Sequence, residues 1–131
     1  MRKENLNIEK ILSELSKENL SGNQVSEILN NPKEYPTELI EELSLETALK
    51  YWNGKIEYEA GDCIMNNIYT FWVTNKYYFE NYGFSNAAWE CYEAFDSGEY
   101  YRKEDGENID PAEKYTKPLI GNLLRKRSII I

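Results

Sequence analysis

Apolar residues recur at the three- and four-residue spacing of an amphipathic helix along almost the whole chain, which reads as a mainly α-helical protein. Leu6, Ile11, Leu12 and Leu15 mark a first helix over about 5–19. Ser21 with Gln24 has the form of a capping box. It opens a second helix with Val25, Ile28 and Leu29 on its stripe, and Asn31-Pro32 closes it. Pro36-Thr37 starts a third, carried by Leu39, Ile40, Leu43, Ala48, Leu49 and Trp52. Ser44 with Thr47 leaves two readings of it, one continuous helix or two pieces, 37–43 and 45–52. Asn53-Gly54 terminates it, and Lys55-Ile56-Glu57-Tyr58 reads as a short extended connector.

The longest apolar-periodic stretch runs from 58 to 81, with Ile64, Ile68, Phe71, Trp72, Tyr78 and Phe79 on one broad face. It predicts a central helix ending at Asn81-Tyr82-Gly83. The run from Ile68 to Thr74 is rich in β-branched and aromatic residues, so a strand competes with the helix there. Ser85 then has the place of an N-cap, and Phe84 with Trp89 forms a hydrophobic staple across it. Ala88, Cys91, Tyr92 and Phe95 continue the stripe until Gly98. Residues 96–110 form a charged loop, and Asp110-Pro111-Ala112-Glu113 starts the last helix, which Pro118 interrupts or restarts and which ends near Arg127. The expected architecture is one domain over 1–131 with five to seven helices around the 58–81 segment. Within it, an N-terminal helical pair at 1–35 packs on 36–127, and 128–131 is a tail.

Composition then narrows the chemistry. The 131 residues hold no histidine and two cysteines, Cys63 and Cys91, without CxxC spacing. A Cys–His nucleophile is therefore excluded, and the thiols read as reduced and structural, since no cation adjoins either in sequence. No glycine-rich phosphate loop is present. The N-terminus, Met1-Arg2-Lys3-Glu4-Asn5, is charged, and no apolar run has membrane length, so the expected location is the cytoplasm. Abundant Asn, Ile, Lys and Glu fit a bacterial, AT-rich genome. Eleven tyrosines supply rings with polar tips for core edges and binding surfaces.

Charge is uneven. The net −8 divides into −3 over residues 1–56, −10 over 57–113 and +5 over 114–131. An acidic middle opposes binding a nucleic-acid backbone and favours a basic protein surface. The second helix offers Asn23, Gln24 and Glu27 without Arg or Lys, unlike a DNA-recognition helix. The sharpest local feature is 96–110, with six carboxylates in fifteen residues. A calcium loop fails there in both glycine registers: Gly106 at the sixth position puts Tyr101 at the first, and Gly98 there puts Phe95 at the third. The remaining readings are a solvated acidic loop, an acidic protein-binding surface or an irregular divalent-ion site. The candidate surface comprises Glu90, Glu93, Asp96, Glu99, Glu104, Asp105, Glu107 and Asp110, with Tyr100 and Tyr101 as aromatic anchors. Glu90, Glu93, Asp96 and Glu99 as acid–base pairs are outweighed by a solvated helix face, and Arg125-Lys126-Arg127 reads as a helix-end charge cluster.

The stretch from Ala88-Trp89-Glu90-Cys91-Tyr92-Glu93 through Phe95-Asp96-Ser97-Gly98 to Tyr100-Tyr101, with Asp110-Pro111-Ala112-Glu113 to Leu119, resembles small bacterial immunity proteins. These belong to polymorphic and contact-dependent growth-inhibition toxin systems, and the likeness is one of size and texture over roughly the last half of the chain. It implies a non-enzymatic cytosolic antidote, with neither cofactor nor metal, that blocks a cognate toxin, above all a nuclease with a cationic cleft. Two further readings stay open: an acidic interaction module with a non-toxin partner, and a metal-dependent hydrolase using the Asp96–Asp110 carboxylates.

Overall fold

A computed structural model of the chain describes residues 7–131. The expected first-helix positions 5 and 6, including Leu6, and the charged N-terminus lie outside the described residues. Seven α-helices and no strand occur among the described residues: α1 (Ile8–Leu15), α2 (Gly22–Ile28), α3 (Thr37–Trp52), α4 (Tyr58–Thr74), α5 (Lys76–Asn81), α6 (Asn86–Asp96) and α7 (Lys117–Lys126). The mainly α reading holds, and the β-rich run at 68–74 is helical. Helix α4 is the hub, packing on α1, α2, α3, α5 and α6. No described helix is long and apolar enough to cross a membrane.

Local capping chemistry sets most helix starts. The Ser21 hydroxyl accepts from the Gln24 N–H, and the Ser21 N–H donates to Oε1 of Gln24, completing the capping box. Ser85 accepts from the Ala88 N–H, and Phe84 meets Trp89 edge-on at 6.2 Å. Asp110 Oδ1 accepts from the Ala112 N–H and opens a single π-type turn, Ala112–Thr116, that runs into α7 with Pro118 in its first turn. Helix α3 is continuous across Ser44 and Thr47. Their buried hydroxyls donate back to the carbonyls of Ile40 and Leu43, so neither side chain competes for the helix backbone.

Two expected helices are shorter than their periodicity. Helix α1 ends at Leu15, not near residue 19: the Ser16 hydroxyl turns back to the Ser13 carbonyl, and Asn19 sits at φ 58°. The 58–81 helix breaks at Asn75, whose extended backbone ends α4 while its side chain accepts from the Tyr78 N–H and starts α5. The break re-aims α5. Tyr78 enters the core and donates to the Pro32 carbonyl, but Phe79, expected on the buried face, stands 51% exposed.

Helix C-termini are completed by side chains from distant elements, because their last carbonyls have no intrahelical donor. The buried Asn67 amide of α4 donates to Leu15 and Lys17 carbonyls at 2.8 and 2.7 Å and fastens the end of α1. Lys117 donates to the Tyr51 and Trp52 carbonyls at the end of α3. The Tyr58 hydroxyl takes the Phe95 carbonyl at 2.6 Å, and the Thr116 hydroxyl takes that of Ala94 at 2.6 Å.

Helices α4 and α6 approach closely where they cross. A Cβ placed on Gly61 would stand 2.4 Å from the Phe95 ring. Phe95 is fully buried and meets Tyr51 of α3 at 5.2 Å and Tyr58 of α4 at 5.8 Å. Cys91, on the same side of α6, is buried and donates to the Ser44 carbonyl at 3.4 Å. Cys63 is only half-buried, against the expectation of two buried thiols; it lines a groove with Lys17, Glu18, Asn66 and Thr70. Burial raises both thiols above their ordinary range, and neighbouring carboxylates, Asp62 foremost, raise Cys63 further.

Gly61→Ala is expected to lose about 1–3 kcal/mol through overpacking against Phe95. Gly83→Ala, with open space around its Cβ, serves as the near-neutral control. Urea unfolding midpoints of the two variants measure the difference. Disulfide-exchange labelling of the native protein should modify Cys63 slowly and leave Cys91 unreacted until denaturant is added; fast native labelling of Cys91 would contradict its buried placement.

Candidate acidic and aromatic surface

The Gly61–Phe95 crossing brings their chain neighbours, Asp62 of α4 and Asp96 of α6, into one electrostatic cluster with Glu99. Asn66, one turn beyond Asp62, donates to Glu99 Oε2 at 3.0 Å. Among the described residues no cation forms an ion pair with Asp62, Asp96 or Glu99. Oδ1 of Asp62 is buried without a hydrogen-bond partner. Burial, a hydrogen bond with Glu99 and the charges of Glu99, Asp96 and Glu59 push the Asp62 carboxyl up to about 8. Asp96 is raised as well, by burial and then by Glu99. This acidic corner is therefore short of positive charge.

The other predicted carboxylates are differently placed. Glu90 pairs with Lys126 and Arg127 of the α7 end, and its hydrogen bond to Lys126 holds it below the usual carboxylate range. Asp105 sits on a 3₁₀ turn, Lys103–Asp105, where Lys114 and Tyr115 hydrogen-bond it and lower it likewise. Asp110 caps the π-type turn. Glu93 lines a groove between α6 and α7 with Leu119, Leu123 and Lys126. Glu104 and Glu107 are exposed along the loop. The basic 114–131 segment thus neutralises Glu90 and Asp105 from within the molecule.

The two tyrosines also differ. The Arg102 guanidinium lies over the Tyr100 ring at 4.3 Å and the Tyr115 ring at 3.7 Å, which holds Tyr100 in place. Tyr101 is 70% exposed and Tyr100 55%. Among the described residues no group of three or more Cys, Asp or Glu side chains is arranged to hold a metal ion.

Sequence reasoning missed two parts of this surface. One is Asp62; the only signal for it is Gly61, since an isolated glycine inside a helical pattern marks a close approach of another element. The other is a strip of six rings over α4, α5 and α6. Phe79 meets Trp72 at 4.9 Å, and Trp72 stacks on Phe84 at 5.0 Å. Phe84 meets Tyr69 at 6.0 Å, and Tyr69 stacks on Tyr92 at 4.5 Å. Trp89 closes the row, 5.7 Å from Tyr92. The Tyr92 hydroxyl is raised first by burial and then by Asp96, Tyr69, Glu99 and Asp62, so the strip runs up to the acidic corner. No family model, curated protein or solved structure matches the chain.

The raised Asp62 carboxyl makes stability depend on pH with a definite sign. Between its ordinary value near 3.8 and about 8, the folded chain keeps a proton that the unfolded chain releases. Stability contributed by that proton is present at low pH and is lost as pH rises through about 8. Asp62→Asn should flatten this decline and raise the melting temperature at pH 9 by a few degrees, a gain limited to about 1 kcal/mol by solvent screening. Calorimetric melts of both proteins from pH 5 to 9 provide the check; parallel curves would sink the assignment.

Proposed function

We propose that this chain is a non-enzymatic immunity protein, a bacterial cytoplasmic antidote that binds and blocks a cognate toxin, a nuclease domain with a cationic cleft. The observation that carries the reading is the acidic corner of Asp62, Asp96 and Glu99, which lacks an ion-pair partner among the described residues. It stands next in the chain to the exposed Tyr100 and Tyr101. A lysine or arginine cluster pairs with Asp96 and Glu99, lets Asp62 release the proton it otherwise keeps up to about 8, and gains charge-assisted hydrogen bonds. The same contact occupies the groups a nuclease uses to hold phosphate. The net −10 of residues 57–113 adds a long-range field that attracts such a partner and repels its nucleic-acid substrate. The resemblance of the 88–119 stretch to immunity proteins supports the same reading.

Charge and rings divide the kinetics: the field governs encounter, and desolvated rings govern residence. The test co-expresses the chain with the product of the adjoining gene and measures binding by stopped flow at several salt concentrations. Asp96→Lys combined with Glu99→Lys should slow association about ten-fold at low salt and flatten its salt dependence, and Tyr101→Ala should speed dissociation. Unchanged rates and unchanged cell protection would show the carboxylates to be solvated surface only. A neighbouring product that neither binds nor harms cells would remove the toxin reading.

A further inference from the structure

We propose that the strip of Tyr69, Trp72, Phe79, Phe84, Trp89 and Tyr92 is a preformed docking face for a protein segment that joins aromatic or aliphatic side chains to lysine or arginine. The proposal rests on the reading of the chain as a binder of a cationic protein, and it names the anchoring part of that surface.

The strip has two layers. Trp72, Phe84 and Tyr92 rest on the hydrophobic core. Phe79 and Trp89 are the outer rings: they stand 51% and 39% exposed and meet the rings beneath them at 4.9 and 5.7 Å. Rings that add little to the core yet lie together at the surface mark an interaction site more than scattered exposed residues do. The face is also rigid. Trp72 Nε1 donates to the Tyr82 carbonyl at 2.9 Å, Trp89 is held among Tyr69, Phe84 and Tyr92 at 5.7–6.2 Å, and Phe79 lies on Trp72 at 4.9 Å. Little rotamer freedom is therefore left to lose on binding, which favours affinity.

Charge selects the occupant. Asp96 of the acidic corner lies one turn beyond Tyr92 on the same helix, α6, so a segment laid along the strip must place a cation there. Indole and phenol faces accept guanidinium or ammonium groups in addition. A second copy of this chain carries the same carboxylates, and its acidic corner disfavours close approach to another.

The probe is a random dodecapeptide library displayed on phage and selected against the intact chain. Enriched peptides should combine Lys or Arg with aromatic or aliphatic residues. Synthetic versions should bind Phe79→Ser and Trp89→Ser about ten-fold more weakly, and Tyr77→Ser, which alters an exposed ring outside the strip, with wild-type affinity. On the wild-type chain, which needs no substitution to fold, bound peptide should shield the exposed Trp89 indole from acrylamide. Failure to enrich any sequence, enrichment of acidic ones, or shielding that does not occur overturns the proposal. So does sedimentation showing a wild-type dimer that Phe79→Ser converts to monomer, since the occupant is then a second copy. Because the peptides are selected without reference to a toxin gene, failure here stays separate from failure of the immunity reading.

Discussion

The crossing of α4 and α6 admits no side chain at Gly61, because the buried ring of Phe95 fills that space. Three helices meet on this ring, α3 through Tyr51, α4 through Tyr58 and α6 through Phe95 itself. The close approach has an electrostatic consequence. Asp62 follows Gly61 and Asp96 follows Phe95, so packing that joins the apolar pair also forces the acidic pair together. The acidic corner is therefore a by-product of core geometry, and the proton that Asp62 keeps up to about 8 relieves the crowding of its carboxyls.

The second organising element is the way helix ends are closed. Asn67, Lys117, Tyr58 and Thr116 each donate to terminal carbonyls of a helix remote in sequence. Each such bond gives a helix-end carbonyl a tertiary donor and fixes one helix against another, so termination and tertiary packing are one interaction. The basic last helix contributes doubly. Lys117 closes α3, while Lys126 and Arg127 engage Glu90 of α6. Positive charge spent on these internal contacts leaves the acidic corner uncovered by it.

What was legible in the sequence was local. Ser21 with Gln24, Ser85 with its Phe84–Trp89 staple, and Asp110 with Pro111 act within a few residues, and each capping motif appears in the fold. The break at Asn75 was not legible, because apolar spacing continues across it and a single asparagine is tolerated in a helix. Its effect was large: it turned Phe79 out of the core and onto the aromatic strip. For the surface, charge density placed Asp96 and Glu99 in an acidic region. It could not separate them from Glu90 and Asp105, whose cations come from α7 and the turn before it. Nor could it add Asp62, which joins them only through a helix crossing. Long-range pairing decides which carboxylate stays uncompensated, and no local pattern encodes it.

The two-layer build of the ring strip separates specificity from folding. Phe79 and Trp89 are the exposed rings of the strip and rest on other rings. Their identity can drift with little loss of stability, whereas Gly61 and Phe95 stay locked by volume. A lineage bearing this fold is thus free to exchange its outermost rings as a partner changes, retuning recognition by single substitutions on an unaltered scaffold.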